Sequence, residues 1–366
     1  MTENEKYMKA CLKLAKRGYG KTAPNPMVGC IILKGRKIIG RGYHGYYGGP
    51  HAEISAIRNA KSGCRNATMY VNLEPCCHTG KKTPPCLPAI VRSGVKKVVI
   101  AMKDPNPKVA GRGIRQLKKN HIKTETGVLE QEALELNKAY VKWITGKMPY
   151  VLLKSAMTLD GKIASVTGAS RWITSRDSIE YSRNLRKQYN AILVGVGTVI
   201  RDNPSLTTHA KHGDGFNPVR VVIDPDLRIP LNSRVLDRKA PKIIVTANRI
   251  LKDKLEYLAK KGANIISINK NRFGHISFME IMKKLAETGI YSVIIEGGGI
   301  TNSRALESGV VDEILFFVAP KILGGADART PVEGKGIQKL SEALNISNMQ
   351  ARVIGSDIMI SGRIVQ

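Results

Sequence analysis

Residues 50–86 read PHAEISAIRNAKSGCRNATMYVNLEPCCHTGKKTPPC, a stretch that combines metal-ligand residue types with a β-rich run. His51 is followed two residues later by Glu53, and two further ligands are expected at Cys76 and Cys86. Three such protein ligands can hold zinc and leave the fourth tetrahedral position open to water. The metal lowers the pKa of that water, and a carboxylate beside a ligand can carry protons. We therefore expect a water-activating metal site with Glu53 as its catalytic residue.

The choice between the adjacent residues Cys76 and Cys77 depends on the proline that precedes the first of them. The Pro75–Cys76 pair favours Cys76 as the ligand, and Cys77 is expected to serve in packing. A His-x-Glu motif with a later Pro-Cys pair is typical of zinc deaminases that act on amino-substituted rings. Glu74 is expected to accept backbone hydrogen bonds that shape the following loop. The alternative, a purely structural zinc site, would use a fourth protein ligand.

Strands and helices alternate around this stretch, a pattern that predicts a three-layer α/β domain. Pro50 favours a helix start, so His51 is expected in the first turn of a helix that runs to about residue 60. Residues 68–73 are expected to form a strand that delivers a cysteine ligand at its end, where ligands gather in open α/β sheets. Residues 130–144 are predicted to form one amphipathic helix.

The break after this helix predicts a boundary between a first domain, residues 1–146, and a second α/β domain, residues 147–366. In the second domain alternating strands and helices indicate a mostly parallel sheet, and residues 351–365 predict a closing hairpin. The glycine turns at 194–198 and 295–300 each follow a strand and could bring backbone N–H groups to a phosphate. Neither is a complete G-x-G-x-x-G motif, so an ordinary tight turn is the alternative for each.

The composition is that of a globular protein without a membrane segment. The 366 residues are 42% hydrophobic and 5% aromatic and include six cysteines, too few for a disulfide scaffold. No apolar run approaches the ~20 residues of a membrane span, and the polar N-terminus has no signal-peptide pattern. The sequence therefore predicts two domains in a cytoplasmic protein.

The formal net charge of +30 permits two interpretations. Such an excess occurs in nucleic-acid-binding proteins, and it would suit a nucleic-acid deaminase with an appended basic domain. However, the lysines are scattered singly and in pairs, and the second half lacks aromatic-rich strands on which bases could stack. We therefore expect a phosphorylated small molecule as the partner, with no nucleic acid and no membrane.

The first domain resembles the cytidine-deaminase superfamily, specifically the deaminase half of the bifunctional riboflavin-biosynthesis deaminase–reductases. The matching motifs are Asn25-Pro26-x-Val28-Gly29, His44, Pro50-His51-Ala52-Glu53, Leu73-Glu74-Pro75-Cys76-x-His78, Thr83-Pro84-Pro85-Cys86 and Asp104-Pro105-Asn106-Pro107. The resemblance implies that zinc is held by His51, Cys76 and Cys86. It implies as substrate 2,5-diamino-6-ribosylamino-4(3H)-pyrimidinone 5′-phosphate. The residues implied to orient this substrate are Asn25, His44, His78, Lys82, Asp104 and Asn106.

The second domain resembles the dihydrofolate-reductase-like α/β reductase of the same family, so the resemblance covers essentially the whole chain. The matching motifs are Lys154-x-Ala156-x-Thr158-Leu159-Asp160-Gly161-Lys162, Ser170-x-Trp172-Ile173-Thr174-Ser175, Gly195-x-Gly197-Thr198-Val199-x-x-Asp202-Asn203-Pro204-x-Leu206-Thr207 and Glu296-Gly297-Gly298. The residues implied to bind NADPH are Ala156, Trp172, Thr198, Asp202, Gly298, Gly299, Ile300 and Thr301. The residues implied to bind substrate are Lys154, Ser170, Arg186, Leu206, His209 and Glu296. The family further implies reduction of the ribose to give 5-amino-6-ribitylaminouracil 5′-phosphate, and a homo-oligomer, either dimer or tetramer.

The chain departs from the family pattern at two places. Most members have one residue fewer between the two cysteine ligands, and the doubled Lys81-Lys82 leaves open which lysine faces the substrate. Arginine often stands where this chain has His209, so phosphate binding there falls to Arg186, Lys154 or Lys211. An exposed lysine without a role is the alternative for Lys154.

Overall fold

The computed structural model describes residues 1–80, 82–208, 216–247, 252–272 and 274–365. The chain divides into two compact units, Met1–Lys147 and Met148–Gln366, each built around one β-sheet. Among the helices of the described ranges, none is long and apolar enough to span a lipid bilayer.

Unit 1 places a five-stranded sheet between two layers of helices. Its elements are α1 Glu3–Ala15, β1 Gly29–Lys34, β2 Lys37–Tyr43, α2 Ala52–Ala60, β3 Thr68–Leu73, α3 Leu87–Arg92, β4 Lys97–Met102, α4 Arg112–Lys119, β5 Lys123–Thr126, α5 Glu130–Leu136 and α6 Lys138–Gly146. The strand order is β2-β1-β3-β4-β5, and β3, β4 and β5 run parallel. Helices α2, α3 and α4 pack on one face of the sheet, and α1 and α5 pack on the other. The predicted three-layer α/β architecture is confirmed.

Helix α2 begins at Ala52, so His51 precedes the helix and does not lie in its first turn as predicted. His51 immediately precedes the first helical residue, with an extended backbone (φ −71°, ψ 161°), and Glu53 lies in the first turn. Glycine at position 42 of β2 permits this arrangement, because a Cβ there would overlap the carbonyl oxygen of Ala52. The first turn of α2 therefore packs directly against the backbone of β2.

The prediction of one helix over residues 130–144 is wrong, because the structure has two helices, α5 and α6, that separate at Asn137. Asn137 has φ −108° and ψ 17°, and its buried side chain bonds to the backbone of Met27. Asparagine competes with helical hydrogen bonding in this way when its amide reaches nearby backbone groups. The apolar periodicity continues across the break, so the sequence pattern did not reveal it.

Unit 2 has a nine-stranded sheet in the order β10-β9-β8-β7-β11-β6-β12-β14-β13. Its elements are β6 Tyr150–Thr158, α7 Arg176–Arg186, β7 Ala191–Gly195, α8 Val196–Asp202, β8 Val219–Ile223, β9 Lys242–Ala247, α9 Lys252–Lys260, β10 Ala263–Ile268, α10 Phe278–Glu287, β11 Ser292–Ile295, α11 Gly299–Glu307, β12 Glu313–Ala319, β13 Ile346–Ile354 and β14 Asp357–Ile364. All strands from β10 to β12 in this order run parallel, whereas β12, β14 and β13 pair antiparallel. The predicted mostly parallel sheet and the closing hairpin are both present.

Candidate active sites

The side chains of His51, Cys76 and Cys86 converge in unit 1. His51 Nδ1 lies 3.0 Å from Cys86 Sγ and 3.4 Å from Cys76 Sγ, and the two sulfur atoms are 3.5 Å apart. Zinc bonds of about 2.0–2.3 Å in tetrahedral geometry put ligand atoms roughly 3.5–3.8 Å apart. The donor set therefore fits zinc in chemistry, and its atoms, 3.0 to 3.5 Å apart, would have to separate by a few tenths of an ångström to hold the ion. Cys77 does not belong to this set and packs against the core between the sheet and α2.

The imidazole of His51 is oriented by a residue for which the sequence suggested no role. Thr83 Oγ1 lies 2.8 Å from His51 Nε2, on the ring side opposite the two sulfur atoms. With Nε2–H donating to the Thr83 hydroxyl, Nδ1 is left as the nitrogen that can bind metal. Such outer hydrogen bonds fix the tautomer and ring orientation of a metal ligand.

Glu53 is buried beside the ligands, with 4% of its surface exposed. Burial raises the pKa of its carboxyl above the usual range, the Cys76 sulfur adds to this increase, and His51 opposes it. Its carboxyl also shares a hydrogen bond with Cys86. The carboxyl thus lies next to the metal ligands without belonging to the cluster they form.

A cavity of about 580 Å³ opens in front of these groups. His51, Glu53 and Cys76 line it, and so do all six residues of unit 1 that were predicted to bind substrate, Asn25, His44, His78, Lys82, Asp104 and Asn106. Further lining residues, for which no substrate contact was predicted, include Tyr47, Thr83, Tyr140, Trp143 and Ile144. The fold therefore brings the predicted polar residues into one space with the predicted metal ligands.

Two of these polar residues, Asn25 and His44, are in hydrogen-bonding contact. Asn25 Nδ2 lies 3.1 Å from His44 Nε2, and His44 Nδ1 lies 3.1 Å from the carbonyl oxygen of Pro50. Nδ1 is thus the ring nitrogen placed to donate to a carbonyl oxygen, and Nε2 is the nitrogen that faces the Asn25 amide. Among the other lining residues, Lys82 Nζ lies 4.5 Å from the centre of the Tyr47 ring. Lys81 lies outside the described residues.

Glu74 accepts backbone hydrogen bonds, as the sequence predicted, but they come from the segment after β4 and not from the loop that follows Glu74. Its carboxylate accepts hydrogen bonds from the backbone N–H groups of Asp104, Gly111 and Ile114, at 3.2, 2.9 and 3.1 Å. Glu74 is 2% exposed, so these bonds replace the water that its charge would otherwise require. The loop that carries Asp104 and Asn106 is therefore anchored to the end of β3.

In unit 2, most residues predicted to bind cofactor lie at the carboxyl ends of adjacent parallel strands. Thr198 and Asp202 belong to α8, which follows β7, and the segment Gly298 to Thr301 forms the start of α11, which follows β11. Ala156 lies on β6, the other neighbour of β11. Ligands of open α/β sheets bind at this edge. The exposed Trp172 lies in the loop after β6, where its carbonyl oxygen accepts a 2.7 Å hydrogen bond from Lys321.

The glycines of the two turns serve different purposes. A Cβ on Gly195 or Gly297 would lie 2.6 or 2.7 Å from the Thr301 side chain, so these glycines permit close packing of the protein. A Cβ on Gly298 would instead project to within 3.5 Å of the Arg201 guanidinium and 4.0 Å of the Thr198 hydroxyl. The first turn of α11 itself contains no acidic residue, although the Glu333 side chain packs against Gly299 in that turn. These donors next to backbone N–H groups fit a phosphate of a dinucleotide such as NADPH.

Arg186 and Glu296, both predicted to bind substrate, form a nearly buried ion pair. Arg186 Nε and Nη2 donate to the two Glu296 oxygens at 2.9 and 2.8 Å, and Nη1 donates to the Thr207 carbonyl at 2.9 Å. Burial raises the pKa of Glu296, but Arg186 and Lys154 outweigh it and lower this pKa to about 2. Burial lowers the pKa of Lys154, whose Nζ lies 5.5 Å from the Phe317 ring.

The remaining predicted substrate residues of unit 2 are placed as follows. Ser170 Oγ lies 3.4 Å from the Asp202 carboxylate, which brings a predicted substrate residue next to a predicted cofactor residue. Leu206 is buried, with φ 50°, directly before Thr207. His209 and Lys211 lie outside the described residues.

Each of the two units matches a known protein family. Residues 1–102 match the cytidine and deoxycytidylate deaminase zinc-binding region. Residues 149–360 match the RibD C-terminal domain, which covers more than half of the chain.

Relatives match over the full length. Riboflavin biosynthesis protein RibD of Aquifex aeolicus is 41% identical over 98% of this chain and 97% of the relative, and that of Escherichia coli K12 is 37% identical over 98% of each. Among solved structures, Acinetobacter baumannii RibD has a TM-score of 0.87 at 34% identity, with 99% of both chains covered. A Thermotoga maritima diaminohydroxyphosphoribosylaminopyrimidine deaminase/5-amino-6-(5-phosphoribosylamino)uracil reductase has a TM-score of 0.83 at 36% identity, again over 99% of both chains. This chain therefore belongs to the RibD family of bifunctional deaminase–reductases of riboflavin biosynthesis.

Proposed function

We propose that unit 1 removes a ring amino group from 2,5-diamino-6-ribosylamino-4(3H)-pyrimidinone 5′-phosphate and that unit 2 reduces the ribose of the deaminated product with NADPH. The observation that carries the first step is the single cavity shared by the His51–Cys76–Cys86 set, Glu53 and six polar residues. The Thermotoga relative is named for both activities, which supports the same pair of reactions here.

In the first reaction, His51, Cys76 and Cys86 would hold zinc, which supplies an activated water when bound. Glu53 lies in the first turn of α2, lines the cavity and is shielded from bulk solvent. It is placed to accept a proton from a water at the ring carbon and to return protons to the ring nitrogen and the departing ammonia. The water oxygen then replaces the amino nitrogen on the ring.

Polar residues around the cavity would hold the substrate during this exchange. Asn25 contacts His44, Asn106 donates its N–H to Asp104, and all four residues line the cavity. Lys82 supplies a positive charge suited to the 5′-phosphate, and His78 adds a further polar group. The +30 net charge supports an anionic substrate.

Substitution of the two adjacent cysteines separates metal binding from packing. We expect Cys76→Ser to lower the zinc content from one per chain, because it removes a ligand sulfur. We expect the matched control Cys77→Ser to keep its zinc, since Cys77 packs against the core. Elemental analysis of both purified proteins measures the difference. Equal zinc content in the two variants would contradict the assignment of Cys76.

In the second reaction, NADPH supplies a hydride to C1′ of the opened ribose, and the protein holds the two reactants together. The donors at the start of α11, with Thr198 and Arg201, are suited to cofactor phosphate. Asp202 and Trp172 would hold other parts of the cofactor, near Ala156 on β6. Lys154, Arg186 and Glu296 would contact the ribose or its phosphate, with Ser170 and Leu206 beside them. His209 stays a prediction for the same pocket.

Asp202→Ala is expected to weaken NADPH binding about tenfold without changing deamination, because it removes one hydrogen-bond acceptor of the cofactor pocket. Titration of NADPH fluorescence gives the Kd directly. Asp253→Ala is a suitable control, because Asp253 lies in α9, which follows a strand three positions from β11. An unchanged Kd in the Asp202 variant would exclude the residue from the pocket.

Mass-resolved turnover of the diaminopyrimidinone phosphate, with and without NADPH, tests the whole proposal. The deaminated compound should accumulate without NADPH, and the ribityl compound should form with it. Parallel titrations with NADPH and transfer RNA distinguish this function from that of a nucleic-acid deaminase. Cytoplasmic location and assembly as a dimer or tetramer stay predictions, which fractionation and light scattering can test.

A further inference from the structure

Residues at and just after the break between α5 and α6 hydrogen-bond to two loops of the deaminase cavity. One loop carries Asn25, and the other carries Asp104 and Asn106. Asn137 Oδ1 accepts from the Met27 N–H at 2.8 Å, and Asn137 Nδ2 donates to the Met27 carbonyl at 3.1 Å. Asn72 donates to the same carbonyl at 3.0 Å. These bonds fix the loop at Met27, two residues after Asn25, the predicted substrate contact.

One turn further along α6, the Tyr140 hydroxyl donates to Asp104 Oδ1 at 2.9 Å. Both residues are 6% exposed. The Asn106 N–H also donates to Oδ1 of Asp104, at 2.9 Å. The backbone N–H of Asp104 donates to the Glu74 carboxylate. The Asp104 carboxylate therefore has a fixed rotation in which Oδ2 is the oxygen available to a ligand in the cavity.

Burial strengthens this contact in two ways. It raises the pKa of Tyr140, so the hydroxyl keeps its proton and remains a donor. It also places the contact away from water, where a hydrogen bond to a charged acceptor contributes more than at the surface. Trp143 and Ile144, at the next turn of α6, line the same cavity. All of these α6 residues lie beyond residues 1–102, which match the deaminase zinc-binding region.

We propose that Tyr140 is a positioning residue for substrate binding in the deaminase site, because its hydroxyl orients the Asp104 carboxylate toward an N–H or O–H of the substrate. The inference rests on the proposed substrate-binding role of Asp104. It adds that α6, a helix outside the matched zinc-binding region, decides how the substrate is held. The Tyr140 hydroxyl donates to Asp104, a predicted substrate contact, so we expect it to act on binding rather than on proton transfer.

Tyr140→Phe removes the hydroxyl and keeps the ring. We expect the KM for deamination to rise roughly 10- to 100-fold, the range for loss of a hydrogen bond to a charged group. The kcat should stay within about twofold, and the zinc content and the reduction of supplied deaminated substrate should not change. Tyr70→Phe is the matched control, since Tyr70 is also buried and donates to Asn4 Oδ1 at 2.7 Å outside the cavity. It should leave the KM unchanged.

A double-mutant cycle with Asp104→Ala, which removes the acceptor of the Tyr140 hydroxyl, tests whether Tyr140 acts through Asp104. In the Asp104→Ala background, adding Tyr140→Phe should change the KM by less than about twofold. A KM in Tyr140→Phe equal to that of the wild type, with Asp104→Ala impaired, would overturn the inference and leave the proposed function intact. An unchanged KM in Asp104→Ala would instead contradict the proposed role of Asp104. A fall in kcat and thermal midpoint without a KM change would make Tyr140 merely structural and would also overturn the inference.

Discussion

Glu53→Gln is expected to lower the deamination rate by about 10³-fold, within the range that a general acid–base group contributes. The amide is nearly the same size as the carboxyl but cannot accept and return a proton. Because the three ligands remain, the variant should keep its zinc. Reduction of a supplied deaminated substrate should continue at the wild-type rate, since that reaction belongs to unit 2.

Three measurements on purified protein check this expectation: zinc content, deamination in the absence of NADPH, and NADPH oxidation with the deaminated substrate. Glu132→Gln is the matched control, because Glu132 is exposed on α5 and does not line the cavity. Simultaneous loss of both activities in the Glu53 variant would contradict the assignment of the two reactions to separate sites. Retention of deamination would remove Glu53 from the mechanism.

Arg186→Met is expected to destabilise unit 2 by about 3–5 kcal/mol, because it leaves the Glu296 carboxylate buried without its partner. The two side chains are only 15% and 11% exposed, so solvent screens the pair weakly. Reduction should be lost, whereas deamination should persist. Hydrogen exchange followed by mass spectrometry can resolve the two units, and the faster exchange should be confined to residues 148–366.

The double variant Arg186→Met/Glu296→Leu separates stability from function. Removing both charges should restore much of the stability, as replacing a buried ion pair with apolar groups often does, while reduction stays lost. Arg176→Met, at the exposed start of α7, is the control. If Arg186→Met were as stable as this control, the ion pair would not contribute to the fold.

The same ion pair is expected to make unit 2 less stable at acidic pH. Because the pKa of Glu296 in the folded chain is about 2, against an ordinary 4.5, its contribution to stability is complete above pH 4.5. That contribution is lost as the pH falls from 4.5 toward 2, where the carboxyl becomes protonated in the folded state. The Arg186→Met/Glu296→Leu variant should lack this part of the acid sensitivity.

Much of the deaminase site could be predicted because its residue types limit its chemistry. A histidine and two cysteines beside a glutamate have few uses in common other than zinc, and the family resemblance added Asn25 and Asp104. Glu74 could be assigned to backbone bonding because an acidic residue at the end of a buried strand must find donors. These conclusions depend on the identity of single residues more than on their neighbours in space.

Contacts between distant segments could not be predicted in the same way. Thr83 meets His51 across 32 positions, and Tyr140 meets Asp104 across 36. The Arg186–Glu296 pair spans 110 positions and joins the last residue of α7 to the residue that follows β11. Asn137 was placed inside a helix because side-chain periodicity reports which face is buried but not which amide leaves the helix to bond elsewhere.

The position of α6 also limits how the deaminase could be divided or exchanged. A fragment that stopped at residue 102 would contain every metal ligand and Glu53, yet it would lack Asp104, its tyrosine partner and the asparagine that braces Met27. The smallest portable deaminase therefore extends to Lys147, the end of unit 1. Chimaeras between relatives that aim to change substrate preference should exchange residues 103–147 as one block and leave the metal-binding portion in place.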